Sequence, residues 1–294
     1  MALTAIDLFS GCGGLTCGLK QAGFQVVSAV EIDGKAQETY AGNHPDVNLY
    51  KADIKKLDAA SIRLENNLDK GQLDLLAGCP PCQGFSRLRT KNKVGSIDDN
   101  RNDLIYDFLR FIEEFQPKAV MMENVPNLQH DRRFEYVCIS LKQMGYKIIY
   151  KVLDASNYSV PQRRKRLILL ASRRFMPVIS EISKEKISVR MAFSSLKTKS
   201  LKTDLLHNLP EKRTEAVRHL ITLIPKNGGS RGDLGDDWQL ECLKKTKGFH
   251  DVYGRMAWDD VAPTITCGCS NPSTGRFFHP ELDRTITLRE ASVL

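Results

Sequence analysis

No apolar run in this 294-residue chain approaches the length of a bilayer span, and no basic-then-apolar leader opens it. Both absences argue against membrane insertion and export, so the expected location is the cytoplasm. Internal repeats and long low-complexity tracts are also missing. No histidine stands at ligand spacing beside the cysteine pairs, and Cys267-x-Cys269 is one residue short of the usual zinc-binding gap. The expected metal is therefore none. Acidic residues are in deficit: 43 Lys and Arg against 35 Asp and Glu leave a formal charge of +8. That balance favours an anionic partner such as nucleic acid. The eight cysteines need a reading other than disulfides, because the cytosol keeps thiols reduced. Most are expected to be small buried apolar residues.

The length allows one large domain, or a large one with a smaller companion. Strand-like and helix-like segments alternate through the first half. Ala5–Phe9, Gln25–Ile32, a segment around Leu49, Leu73–Ala77 and Ala119–Glu123 read as strands. Leu15–Gly23, Lys35–Tyr40 and Asp103–Phe115 read as helical, with Gly23 as a stop signal. Lys147–Leu153 and Arg166–Ala171 read as a closing, hairpin-like pair of strands. Repeated β-α-β units predict an α/β fold with a mostly parallel sheet covered on both faces. The alternation breaks near Arg173. The expected boundaries are 1–174 for the α/β domain, 175–252 for a smaller loop-rich one, and 253–294 for a return toward the first.

Three features carry chemistry. Asp7-Leu8-Phe9-Ser10-Gly11-Cys12-Gly13-Gly14-Leu15 joins a strand to a helix, where glycines let backbone approach a ligand. A nicotinamide cofactor would fit that turn nearly as well as another nucleotide. The next strand ends in Glu31-Ile32-Asp33, and an acid there suits ribose hydroxyls. Asp53 ends the third strand and could take an adenine amino group. Together these strand ends predict nucleoside binding. Gly78-Cys79-Pro80-Pro81-Cys82-Gln83 sets a thiol on a stiff turn at a strand end, which holds a nucleophile still. Glu123-Asn124-Val125 and the basic cluster Arg163-Arg164-Lys165-Arg166 complete the pattern. A thiol, a carboxyl and arginines suggest covalent attack on an electron-poor ring in a polyanion. A redox pair of Cys79 and Cys82 is a rival reading.

In this order the motifs resemble those of the bacterial C5-cytosine DNA methyltransferases of restriction–modification systems. They are Asp7–Gly14, Pro80-Pro81-Cys82-Gln83, Glu123-Asn124-Val125, Gln162-x-Arg164-x-Arg166 and Arg289-Glu290-Ala291. The resemblance covers about 2–171 and 253–294, and 175–252 corresponds to a target-recognition domain. It implies a Rossmann-like sheet, duplex DNA as partner and S-adenosylmethionine as methyl donor. Cys82 would add to C6 of a flipped-out cytosine, with Glu123 on N3 and the amino group. Arg166 would hold O2, Arg164 and Arg166 would favour the thiolate, and Asn124 would brace the turn. Phe9, Gly11, Gly13, Gly14, Leu15, Glu31, Ile32, Asp53, Ile54, Pro80 and Leu104 would hold the methyl donor. Gln83, Ser86, Arg87, Arg89, Gln162 and Arg231 would meet DNA, which would place the protein on the bacterial nucleoid. A tRNA-acting member of the same fold would share most of these residues.

The family pattern continues past Leu294 to a Gly-Asn-x-Pro segment, and the one Gly-Asn pair here is Gly42-Asn43. A second polypeptide supplying that segment is expected if the chain is naturally split. A catalytically incomplete DNA-binding chain is the corresponding alternative.

Overall fold

The computed structural model describes residues 2–81, 103–183, 185–196, 198–235, 238 and 252–294. They fall into two units, one of Met1–Leu153 with Arg166–Ser180, the other of Asp154–Lys165 with Glu181–Leu294.

The first unit is built on a sheet of seven strands: β1 (Leu3–Leu8), β2 (Phe24–Glu31), β3 (Asn48–Lys51), β4 (Leu75–Gly78), β5 (Ala119–Asn124), β6 (Lys147–Asp154) and β7 (Lys165–Ser172). Their order is β3-β2-β1-β4-β5-β7-β6. Strands β1 to β5 pair in parallel, and β7 runs antiparallel to β5. The expected parallel α/β sheet is therefore present. The late strands are neighbours, but β7 takes the inner place, so β5 is sealed by a strand from later in the chain. Strand order reverses between β1 and β4, and ligands of open α/β sheets bind outside the carboxyl ends at such a reversal.

Alternation along the strands makes two cores. Ile6, Leu8, Leu76, Val120, Met122, Leu167 and Leu169 face one side, while Ala5, Ala29, Leu75 and Ala77 face the other. Helices α1 (Gly14–Gln21) and α2 (Gly34–Asn43) contribute to the second cluster through Leu19 and Tyr40. Helices α3 (Ala59–Glu65), α4 (Leu104–Phe115) and α5 (Arg132–Gln143) cover the first. Helix α4 buries Ile105, Phe108, Leu109, Phe111, Ile112 and Phe115, a stripe at three- and four-residue spacing. Each such side chain contributes roughly 1.5–3 kcal/mol of burial. The helix ends where Gln116 turns to φ 49°.

The second unit contains α6 (Val189–Ser194), α7 (Thr198–Leu201), α8 (Glu215–Leu223) and α9 (Leu288–Ala291). Of these the sequence pattern marked only the last, as an apolar helix beginning at Leu288. At its centre Arg255 is fully buried and donates to the carbonyls of Ile221, Ile224, His279 and Leu282. Asp283 neutralises its charge. The sequence 287–290 forms a capping box, in which Thr287 and Glu290 satisfy each other's backbone amides. Glu290 also takes both terminal nitrogens of Arg284 at 2.7 Å.

Candidate active site

The first wall is the loop after β1. Phe9 turns to φ 61° and Gly11 to φ 54°. A phenylalanine in the left-handed region is strained, and such strain concentrates at ligand sites. Glu31, at the end of β2, fixes the loop: its Oε2 accepts from the Gly11 amide at 2.7 Å. Its Oε1 accepts from the amides of Ile32 at 2.9 Å and Asp33 at 2.7 Å. A carboxylate has about four acceptor sites, so three amides leave one for a ligand hydroxyl. Gly13 has a packing role. A Cβ there would come within 2.5 Å of His44, whose ring Nε2 lies 3.1 Å from the Gly13 carbonyl.

Asp53 follows β3 and caps a short 3-10 turn, Ile54–Lys56, by accepting from the Lys55 amide at 3.0 Å. Its other oxygen has no partner among the described residues. Phe9, Glu31, Ile32, Asp53, Ile54 and Leu104 all line one pocket of about 420 Å³. Val30, Ala52, Lys55, Cys79 and Pro81 line it too, and sequence reasoning missed these five as lining residues. Their signal was positional: Ala52 and Lys55 flank Asp53, and Cys79 and Pro81 flank Pro80. Of the expected residues, Gly11, Gly13, Gly14, Leu15 and Pro80 do not line it. Leu15 packs in the core instead, and the Pro80 carbonyl accepts from Asn124 Nδ2 at 2.8 Å.

That last bond joins the second wall to the end of β5, where an ion pair follows. Gly78 closes β4 against the Leu8 carbonyl, which a Cβ would approach to 2.8 Å. The Cys79 amide then bonds the same carbonyl at 3.2 Å. Asn124 Oδ1 also accepts from the Val125 amide at 2.8 Å, so Asn124 braces both turns as expected. Glu123 precedes it and pairs with Arg166, Nε to Oε1, at 2.7 Å. Both side chains remain about a quarter exposed. The Cys79 thiol is pushed well above its usual range, by burial first and then by the Glu123 and Asp7 charges. It is held protonated and is a poor nucleophile.

Beneath the loop lies a carboxyl that the sequence reading left without a role. Asp7 is fully buried and its Oδ2 accepts from Thr16 Oγ1 at 2.7 Å, while Thr16 accepts from the Tyr40 hydroxyl. Its Oδ1 has no partner among the described residues. Burial pushes this carboxyl up to about 7 against the pull of Thr16, with the Glu31 charge adding to the rise.

Cys82, Gln83, Ser86, Arg87 and Arg89 lie outside the described residues. Arg164 and Gln162 belong to the second unit. The Arg164 amide bonds Asp154 Oδ1 at 3.1 Å, and the Gln162 side chain donates to the Leu294 carbonyl and accepts from Ile265. Arg231 donates to the Trp238 carbonyl and lies 5.3 Å from the Tyr253 ring centre. Among the described residues, three or more His, Cys, Asp or Glu side chains nowhere gather into a metal site. No described helix is long and apolar enough to cross a membrane.

A strand reversal, a glycine loop and strand-end carboxylates around a nucleoside-sized pocket define a Rossmann-like methyltransferase fold. The chain belongs to the C-5 cytosine-specific DNA methylase family, whose profile matches residues 3–294. With membership come the activity class and the methyl donor that the motifs implied: DNA (cytosine-5-)-methyltransferase and S-adenosylmethionine. The Type II methylase M.HgiDII of Herpetosiphon aurantiacus is 35% identical over 308 residues, covering 100% of this chain and 84% of the relative. The Type II methyltransferase M.Eco47II of Escherichia coli is 33% identical over 300 residues, covering 98% and 69%. Among solved structures, a chain described as a prophage-encoded E. coli DNA modification methyltransferase superposes with TM-score 0.71 at 24% identity, covering 100% and 88%.

Proposed function

We propose that the pocket holds the adenosyl part of S-adenosylmethionine and that Cys82 is the nucleophile toward a flipped-out cytosine in duplex DNA. The observation that carries this reading is the convergence of Glu31 and Asp53, each with acceptor capacity left, on one apolar-walled pocket that also meets the Gly78–Pro81 turn. Glu31 would take a ribose hydroxyl, Asp53 the adenine amino group, and Ile32 the adenine face. Phe9, Ile54 and Leu104 would exclude water. Gly11 serves by holding Glu31; Gly13, Gly14, Leu15 and Pro80 serve by shaping the walls.

The chemistry follows from what cytosine lacks, since C5 is a weak nucleophile. The Cys82 thiolate forms a bond to C6, and the displaced electron pair makes the ring enamine-like. Glu123 engages N3 and the amino group and supplies a proton to N3 as charge develops there. Arg166 holds Glu123 in place and would donate to O2; Arg164 adds positive charge that favours the thiolate. When bound, S-adenosylmethionine supplies the electrophilic methyl group for C5. A water molecule then takes the C5 proton. Its electron pair restores the C5–C6 double bond as the C6–S bond breaks to release the thiolate, and N3 returns its proton to Glu123.

Gln83, Ser86, Arg87, Arg89, Gln162 and Arg231 are proposed to contact DNA, with residues 175–252 reading the target sequence. Duplex DNA is the partner that the bacterial Type II relatives support, and the proposed setting is a bacterial cytoplasm, on the nucleoid. Supply of a Gly-Asn-x-Pro segment by a second polypeptide stays a proposal, tested by assaying with and without such a chain. The decisive experiment uses duplex DNA carrying 5-fluorocytosine at the target with S-adenosylmethionine present. A covalent adduct at Cys82 is expected because fluorine blocks elimination from C5. Adduct at Cys79, or methyl transfer to tRNA and none to duplex DNA, would overturn the reading.

A further inference from the structure

Arg110 lies outside the lining of the pocket yet holds one of its walls. It sits on α4, two turns after Leu104, which lines the pocket itself. Its Nη2 donates to the Ile54 carbonyl at 2.8 Å and its Nη1 to the Leu57 carbonyl at 2.9 Å. These are the two carbonyls at either end of the 3-10 turn that Asp53 caps. The guanidinium is itself aimed by Asp107 at 3.3 Å and lies 5.0 Å from the Phe111 ring centre. The Asp53 segment has a second tether on its other side, where the Ala52 amide bonds the Glu31 carbonyl at 3.1 Å. Gln37 reinforces that tether by donating to the same carbonyl at 2.9 Å. A four-residue strand followed by a single 3-10 turn cannot hold a carboxylate still by its own hydrogen bonds. A planar fork bonded to two carbonyls can, whereas a lysine ammonium is a point charge on a flexible stem.

We propose that Arg110 is a positioning residue of the methyl-donor pocket, a strut that fixes the Asp53–Lys55 wall against α4. The proposal rests on the reading of this pocket as the adenosyl site. It distinguishes Arg110 from Arg63 on α3, which bonds Glu114 and the Leu68 carbonyl and touches no pocket residue in doing so.

The test compares the full chain with Arg110→Met, Arg110→Lys, Arg63→Met and Asp53→Ala. Dissociation constants for S-adenosylmethionine and adenosine are measured by calorimetry, and kcat and KM by methylation of duplex DNA. Arg110→Met should raise the dissociation constant of both ligands about tenfold, the cost of losing charged hydrogen bonds that hold the wall. With S-adenosylmethionine saturating, kcat should stay within about twofold, so the loss sits in KM. Arg110→Lys should recover part of it, with a rise of about threefold. Arg63→Met should lower the melting temperature without changing either ligand's affinity. If Arg110→Met does not fold, Arg110→Lys carries the comparison. Unchanged affinity in the Arg110 variants beside a loss in Asp53→Ala would overturn the strut and leave the pocket standing. Unchanged affinity in all of them would overturn both. A fall in kcat at constant KM would also overturn it.

Discussion

Glu31 Oε2 accepts a hydrogen bond of 2.7 Å from the backbone amide of Gly11. One side chain thus welds the end of β2 to the loop after β1, on one side of the order reversal. The carboxylate is a framework part first, and in the proposed reading a ribose acceptor second. Glu31→Ala should therefore weaken S-adenosylmethionine by about 10- to 100-fold, because three amides lose their acceptor and the ribose loses its own. Its melting temperature should fall as well. Asp53→Ala should lose affinity with little change in melting, since that carboxylate holds one amide. Calorimetric titration and thermal unfolding of the two variants separate these roles.

Cys79→Ser should retain a substantial part of methyl transfer and Cys82→Ser should retain none. The Cys79 thiol is held protonated by burial and by the Glu123 and Asp7 charges. It should resist iodoacetamide at pH 7–8 while Cys82 reacts. Peptide mapping after brief alkylation reads both thiols in one sample. Rapid labelling of Cys79 would remove the electrostatic argument.

Asp7 ties stability to pH. Its carboxyl is raised from 3.8 to about 7 in the folded protein, so between those values the folded state binds the extra proton. The stabilisation is fully present below about 4 and is lost as pH rises through about 7. Asp7→Asn removes the charge and should flatten that part of the profile. The difference between variant and parent should grow with pH to at most about 4 kcal/mol at pH 8. Unfolding in denaturant at several pH values gives the curve. A parallel pair of curves would show that Asp7 does not titrate there.

Arg255→Met should destabilise the second unit by about 3–5 kcal/mol, since it orphans four buried carbonyls and strips Asp283 of a partner. Adenosine binding by the first unit should persist. Calorimetric unfolding with and without ligand distinguishes loss of one unit from loss of both.

The sheet was legible because buried parallel strands are short apolar runs followed by turns, as in Ala5–Phe9 and Leu73–Ala77. Helix α4 was legible because Ile105, Phe108, Ile112 and Phe115 repeat at helical spacing. Helix α5 carries a similar stripe in Phe134, Val137, Cys138 and Leu141 behind the Asp131 cap, but four charged residues among its twelve diluted it. Helix α6 has six residues and α7 four, too few for a period to show. At the site, Glu31, Ile32 and Asp53 were legible as strand ends. Gly13 was not separable from Gly11 by sequence, because His44, which demands a glycine there, is 31 residues away. The packing role of Arg255 was not legible, since its partners are carbonyls and any residue provides one.

The antiparallel course of β7 pairs Asn124 with Leu167 and Glu123 with Ile168. Arg166 enters at the start of that strand and meets Glu123 across the ladder. Side chains on a strand alternate faces, so losing one codon between Arg166 and Ile168 would slide the register and turn the arginine away. The same loss beyond Ser172 would leave the pair in place. Within the gene, then, a few codons carry a length constraint as severe as the identity of the arginine itself. Length variation in this part of the chain should therefore be confined to positions outside that short window.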